Sequence, residues 1–264
     1  MPQASLNGIK IDYHEFSPEN KKSGTIVFMH GRGGNLLSWF QQIPYFSKKY
    51  HCIVYSQRGF GHSYDIDDGP GWSAFPKDLE LLMDFLNIGN VHLVAQSMGG
   101  VSALGFSVEN PNRVLSITFA DTTGGMGESS VENELIEWKN KNLRTRGRLE
   151  AISEKFENDN PEMANLYLQI GLTNPELSNP DMSLDKINLL GGPKGIELNA
   201  LKMPVLFLVG QDDTLMPPHI IKLASECIKG SEFLIVSDCG HSVYWEKPYV
   251  FNSEVDRFIS ESIR

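Results

Sequence analysis

The residues that could do chemistry in this chain are a serine, an aspartate and a histidine, each placed just after an apolar run. The run Val91-His92-Leu93-Val94-Ala95-Gln96 passes into Ser97-Met98-Gly99-Gly100, which reads as a strand turning sharply into a helix. Such a turn lifts the Ser97 hydroxyl clear of the backbone and aims the first N–H groups of the helix at developing negative charge. Small residues at Ala95, Gly99 and Gly100 permit the tight packing. By itself Ser-x-Gly suits a helix N-cap as well as a nucleophile. Three further stretches change that balance. His30-Gly31-Arg32-Gly33-Gly34 follows an apolar run, and a glycine-rich turn there can expose backbone donors. Val209-Gly210-Gln211-Asp212-Asp213 follows another and precedes Pro217-Pro218. Asp238-Cys239-Gly240-His241 follows the last. A serine activated by histidine, with a carboxylate to orient the imidazole, is the equipment of acyl transfer through a covalent intermediate.

Those residues need a frame that brings them together. Asn7-Gly8 between alternating residues marks an opening hairpin. Short β-branched runs follow at Thr25–Met29, Cys52–Tyr55, Val91–Ala95, Val114–Phe119, Val205–Val209 and Phe233–Val236. Helical patterns alternate with them at Pro76–Leu86, Met98–Val108, Pro217–Ile228 and from Pro248 onward. Near-continuous apolar strands alternating with helices predict a mostly parallel sheet covered on both faces. In such sheets functional groups gather at the carboxyl ends of the strands, where Ser97, Asp213 and His241 all fall. The alternation breaks between about Thr122 and Ile196, a polar stretch with helical patterns at Ser130–Lys141, Arg146–Phe156 and Pro161–Gln169. Trp138, Phe156, Leu166 and Tyr167 give that stretch something to bury, so an inserted helical subdomain is expected rather than a disordered loop.

Composition narrows the partners. The 264 residues are 41% hydrophobic and carry 23 Lys and Arg against 33 Asp and Glu, a net charge of -10. That balance fits a globular protein and repels phosphate backbones and anionic lipid, so neither nucleic acid nor a membrane is an expected partner. Three scattered cysteines (Cys52, Cys227, Cys239) have no metal or redox spacing, the N-terminus lacks a secretory apolar core, and a cytoplasmic protein is expected.

Together the motifs resemble the α/β-hydrolase superfamily over essentially the whole length, with small cap-bearing esterases, lactonases and carbon–carbon bond hydrolases as the most similar members. Gln96-Ser97-Met98-Gly99-Gly100 and Cys239-Gly240-His241 followed by Trp245-Glu246 are similar to stretches of the carbon–carbon hydrolases. The resemblance implies an α/β-hydrolase fold, with a mostly parallel eight-stranded sheet, helices on both faces and an inserted helical cap. It divides the chain into a core of residues 1–121 and 197–264 and a cap of residues 122–196. It implies Ser97 as nucleophile, His241 as general base, Asp213 as the orienting acid, and the backbone N–H groups of Arg32 and Met98 as the oxyanion hole. Asp212 is adjacent to Asp213, and Asp121 follows the strand where some relatives keep their acid, so both stay open as alternatives. Departures are Ala95 in place of the usual glycine, Ser56 where many relatives carry aspartate, and Arg32, whose side chain either recognises a substrate carboxylate or pairs with a surface acid.

Other motifs fail. Gly31-Arg32-Gly33-Gly34 and Gly59-Phe60-Gly61 lack the third glycine of a dinucleotide fingerprint, and Asp65-Ile66-Asp67-Asp68-Gly69 has Pro76 where a calcium loop needs glutamate. No metal or other cofactor is expected. The expected activity is hydrolysis of a small carboxylic ester or lactone by a monomer or homodimer acting on a small-molecule substrate. Met126, Trp138 and Met216 are candidate substrate-binding residues. Carbon–carbon bond hydrolysis of a diketone-like compound and perhydrolysis use the same three residues, and a small-ligand receptor with this fold is the non-enzymatic alternative.

Overall fold

Strands that are apolar on both faces must be covered on both, and that requirement shapes the molecule. The computed structural model describes residues 2–19, 23–142, 144–176 and 192–262. Its strands are β1 (Gln3–Leu6), β2 (Ile9–Phe16), β3 (Thr25–Met29), β4 (His51–Tyr55), β5 (Val91–Gln96), β6 (Val114–Ala120), β7 (Val205–Gly210) and β8 (Glu232–Val236). They form one eight-stranded sheet in the order β1-β2-β4-β3-β5-β6-β7-β8. The first two strands pair antiparallel, as do β2 and β4; every pairing from β4 to β8 is parallel. Asn7 and Gly8 both have positive φ, +46° and +80°, which matches the turn twist that an Asn-Gly hairpin requires.

Successive side chains of each strand enter opposite layers. On one face Val27, Met29, Leu93, Phe207 and Val209 pack with residues of α2 (Phe75–Phe85), α3 (Gly99–Glu109) and, from the far end of the chain, the helix Pro218–Glu226. On the other, Ile26, Phe28, Val94, Leu206 and Leu208 meet α1 (Ile43–Phe46) and the final helix Pro248–Ser262. The sheet is therefore the middle layer of three, and the parallel strands β3 to β8 open their carboxyl ends on a single edge.

Between β6 and β7 lie α4 (Ser129–Lys141), α5 (Glu154–Asp159) and α6 (Pro161–Leu172). After β7 come α7 (Pro218–Glu226), the short α8 (Val243–Glu246) and α9 (Pro248–Ser262). Part of the expected insertion, residues 177–191, lies outside the described residues. The helix expected over Arg146–Phe156 is instead two pieces, a 3-10 turn at Gly147–Ala151 and then α5. The break has a physical cause. Ile152 turns extended to bury its side chain in the core, at 1% exposure. Ser153 then restarts the helix as its N-cap, its hydroxyl accepting the Phe156 N–H. Among the described residues no helix is long and apolar enough to cross a membrane.

Candidate active site

Ser97 occupies the turn between β5 and α3 with φ +49°, a left-handed conformation that costs a residue with a Cβ about 1–2 kcal/mol. Its N–H donates to the Ala120 carbonyl at 2.9 Å, which ties the turn to β6. The turn closes because two glycines follow. A Cβ on Gly99 would collide with the Met29 carbonyl of β3, and one on Gly100 would sit 2.7 Å from Thr122 Oγ1 and 2.8 Å from Gly124 Cα. Backbone cannot step aside cheaply, so Gly99→Ala is expected to cost about 2 kcal/mol and lower Tm by roughly 4–8 °C in a thermal melt. A variant melting with the wild type would show that α3 packs less tightly on β3 than these contacts require. Ala95, the small-for-small departure, is fully buried and adds no strain at the turn.

The other two groups arrive on loops joined to each other. After β7, Gln211 N–H donates to Val236 O and Asp212 N–H to Cys239 O, both at 2.8 Å. A side chain at Gly210 would strike the Cys239 and Gly240 carbonyls. This close contact places Asp213 beside His241, 28 residues away in sequence. Asp213 Oδ1 accepts the N–H groups of Leu215 and Met216 at 2.9 Å each, leaving Oδ2 for the imidazole. His241 Nδ1–H donates to Asp213 Oδ2 at 2.8 Å. A carboxylate can only accept, so Nε2 carries the lone pair. Nε2 accepts the Ser97 hydroxyl at 2.9 Å across a separation of 144 residues. Burial alone would lower the His241 pKa; the charge and hydrogen bond of Asp213 outweigh it, and the net direction is upward from 6.5.

The three candidate acids separate clearly. Asp212 is exposed, whereas Asp213 is buried at 3% exposure on the imidazole. Asp121 is fully buried at the end of β6 with φ +53°. Its Oδ1 accepts Gly210 N–H at 3.0 Å and its Oδ2 accepts Val243 N–H at 3.1 Å. It therefore pins the base of β7 to the segment following His241. Burial first, then the neighbouring Asp213 charge, raises its pKa well above the ordinary carboxylate range. Asp121 holds the frame around the imidazole rather than the imidazole itself.

Arg32 and Met98, the expected oxyanion donors, both line the cavity beside Ser97. The loop that carries Arg32 is built around His30. Gln57 N–H donates to His30 Nε2 at 2.9 Å, so the ring proton sits on Nδ1 and is donated to Gly31 O at 2.8 Å. Burial lowers this histidine to about 4, so it stays neutral and acts as a fixed strut. From the far side, Asn174 donates to the carbonyls of Gly33 and Gly34 at 3.1 and 3.2 Å and accepts Gly61 N–H at 2.8 Å. Gln96 Nε2 donates to His241 O at 2.8 Å, linking the strand before Ser97 to the histidine loop.

These groups open onto a cavity of about 410 Å³. Met216 lines it, as expected from sequence. Met126 does not: it is buried at 3% exposure within a hydrophobic core cluster. Trp138 also packs elsewhere, with Nε1 donating to Thr214 O at 2.9 Å and its ring edge-on to His219, which fastens α4 to the start of α7. Lining residues not anticipated include Tyr167, whose hydroxyl lies 3.2 Å from Ser242 Oγ, and Arg144 and Arg148. No local motif marks them, because they reach the site only through the path of the insertion. Glu246, by contrast, lay within a noted motif; it accepts Gly240 N–H and the Ser153 hydroxyl, tying the histidine loop to the start of α5.

Known proteins share this fold. The family model described as the alpha/beta hydrolase fold matches residues 24–248. A hydrolase of 2-hydroxy-6-oxononadienedioate and 2-hydroxy-6-oxononatrienedioate from Escherichia coli O81 (strain ED1a) is 27% identical over 252 residues, 90% of this chain and 88% of that one. Among solved structures, a thermophilic esterase from Thermogutta terrifontis superposes with a TM-score of 0.80 at 22% identity, covering 98% of this chain and 97% of that one. The enol-lactonase from Burkholderia xenovorans LB400 also reaches 0.80, at 19% identity, with 98% and 100% covered.

Proposed function

Because this chain belongs to the α/β-hydrolase fold family and is an enzyme of that type, we propose that it cleaves a small carboxylic ester or lactone through an acyl-enzyme on Ser97. The observation that carries this reading is the unbroken hydrogen-bond chain from Ser97 through His241 to Asp213 at the edge of a substrate-sized cavity. Ser97 Oγ attacks the acyl carbon as His241 Nε2 takes its proton, and Asp213 stabilises the imidazolium that forms. The N–H groups of Arg32 and Met98 stabilise the tetrahedral oxyanion, each commonly worth about 3–4 kcal/mol of barrier. His241 then returns the proton to the departing alkoxide. In the second half, His241 deprotonates a water that attacks the acyl-Ser97, and the acid leaves with Ser97 restored. The insertion roofs the cavity and sets substrate size.

A fluorophosphonate probe followed by mass spectrometry tests the reading: modification at Ser97, absent in Ser97→Ala, is the expected result. Absence of labelling in the wild type would overturn it. The pH dependence gives a second check. The general base is neutral imidazole and Asp213 raises its pKa above 6.5, so kcat/KM rises with pH through an inflection above that value. An inflection below 6.5 would assign the base elsewhere.

A second reading is carbon–carbon bond hydrolysis of a diketone-like substrate. It is favoured by the Escherichia coli relative, which is named for such substrates and aligns along 90% of this chain. Loss of the conjugated absorbance of 2-hydroxy-6-oxononadienedioate on mixing with the enzyme is its expected sign; stable absorbance would remove it.

A further inference from the structure

Among the described residues the side chains lining the cavity include four basic groups. Lys139, at the end of α4, and Arg144 and Arg148, between α4 and α5, line the cavity, as does Arg32 on the loop after β3. Among the described residues no aspartate or glutamate does. The rest of the chain runs the other way, with ten more acids than bases. A surface of that composition would place more acids than bases around an arbitrary hollow, so the sign of this lining is selected by the site.

Of the three arginines in the 144–148 segment, Arg144 and Arg148 line the cavity while Arg146 pairs with Glu157. Arg148 Nη1 lies against Gly171 of α6, where a Cβ would collide with it and stand 2.9 Å from the Gly33 carbonyl of the oxyanion loop. Its charge acts on the Tyr167 hydroxyl inside the cavity. Among the described residues it forms no ion pair. Arg144 acts on His241 while standing 3.8 Å from Glu150, too far for a charge-assisted hydrogen bond that would satisfy it. Val101, Leu215 and Met216 add apolar side chains to the lining.

We infer that the natural substrate carries a carboxylate in addition to its scissile acyl group, held against Arg144 and Arg148 while its carbon chain lies along Val101, Leu215 and Met216. This inference rests on the hydrolase reading of the same site. Guanidinium groups suit the task because their planar fork meets a carboxylate with two parallel hydrogen bonds. The local positive field also has to draw an anion through the repulsion of a protein of net charge -10.

The test compares 4-nitrophenyl hydrogen glutarate, an anionic ester, with its neutral methyl diester, reading nitrophenolate release. The wild type is expected to favour the anion in kcat/KM by about tenfold to a hundredfold at low salt, as charge-assisted hydrogen bonds allow. Arg148→Gln lowers that ratio about tenfold, Arg148→Glu lowers it further, and raising the salt shrinks it in the wild type. A ratio near one in the wild type, or a ratio that survives Arg148→Glu, would overturn the inference. Arg148 is exposed, and thermal melts of each variant separate lost selectivity from lost fold. A second arm needs no turnover: calorimetry of Ser97→Ala with monomethyl glutarate and dimethyl glutarate, with and without Arg148→Glu. If the wild type cleaves neither ester while the monoanion binds more tightly in an Arg148-dependent way, the hydrolase reading fails and anion recognition stands. If both esters are cleaved at equal efficiency and the two glutarates bind alike, anion recognition fails alone.

Discussion

Ser97→Ala is expected to lower kcat on activated esters by about 10⁴- to 10⁶-fold while leaving the melting temperature close to that of the wild type, because removing the nucleophile of a working triad leaves only the binding and oxyanion contributions. The structure explains why stability should survive. The Ser97 hydroxyl has one protein partner among the described residues, His241 Nε2 at 2.9 Å, and faces the cavity rather than the core. Alanine keeps the Cβ and the left-handed backbone, so the strain at φ +49° is unchanged. Steady-state kinetics and a thermal melt on the same preparation decide the matter. Retention of more than about a hundredth of the wild-type kcat would be incompatible with a serine nucleophile.

The second large effect separates two buried acids. Asp213→Asn is expected to reduce kcat by about 10⁴-fold through the wrong tautomer. The new amide can still accept from Leu215 and Met216 through its oxygen, as Asp213 Oδ1 does. Its NH₂ group then faces His241 Nδ1 and forces that nitrogen to accept, which moves the ring proton to Nε2. The base that should take the Ser97 proton is then already protonated. Asp121→Asn acts differently. An amide offers one acceptor where Asp121 uses two, for Gly210 N–H and Val243 N–H, so one buried donor loses its partner at about 1–3 kcal/mol. Its loss appears mainly in Tm. If Asp121→Asn instead silenced the enzyme and Asp213→Asn did not, the acid would have been assigned to the wrong strand.

Much of this arrangement can be read from the sequence because it is local. The Ser97 turn is announced by an apolar strand before it and by glycines at 99 and 100. Both glycines prove necessary because the Met29 carbonyl and Thr122 stand where side chains would go. Strand–helix alternation likewise implies a parallel sheet, and the carboxyl ends of its strands locate His30, Ser97, Asp121, Asp213 and His241 on one edge. What sequence leaves undecided depends on contacts between distant segments. The resemblance favours Asp213 over its neighbour Asp212, and the way the β7 and β8 loops bond to each other leaves one carboxylate buried on the imidazole and the other exposed. Met126 and Trp138 have suitable side chains for a pocket, but the path of the insertion buries one in the core and uses the other to fasten α4. That same path brings Arg144, Arg148 and Tyr167 to the cavity, and no periodicity or motif encodes it.

The long reach from Ser97 to His241 has a consequence for biosynthesis. On a ribosome adding roughly 5–20 residues per second, the 144 positions from Ser97 to His241 take about 7–30 s to make. Throughout that interval the serine already exists without the base that would activate it. Asp213 and His241 follow as a pair, 28 residues apart, after the insertion between β6 and β7. A nascent chain that has not yet reached residue 241 therefore carries Ser97 without its imidazole partner.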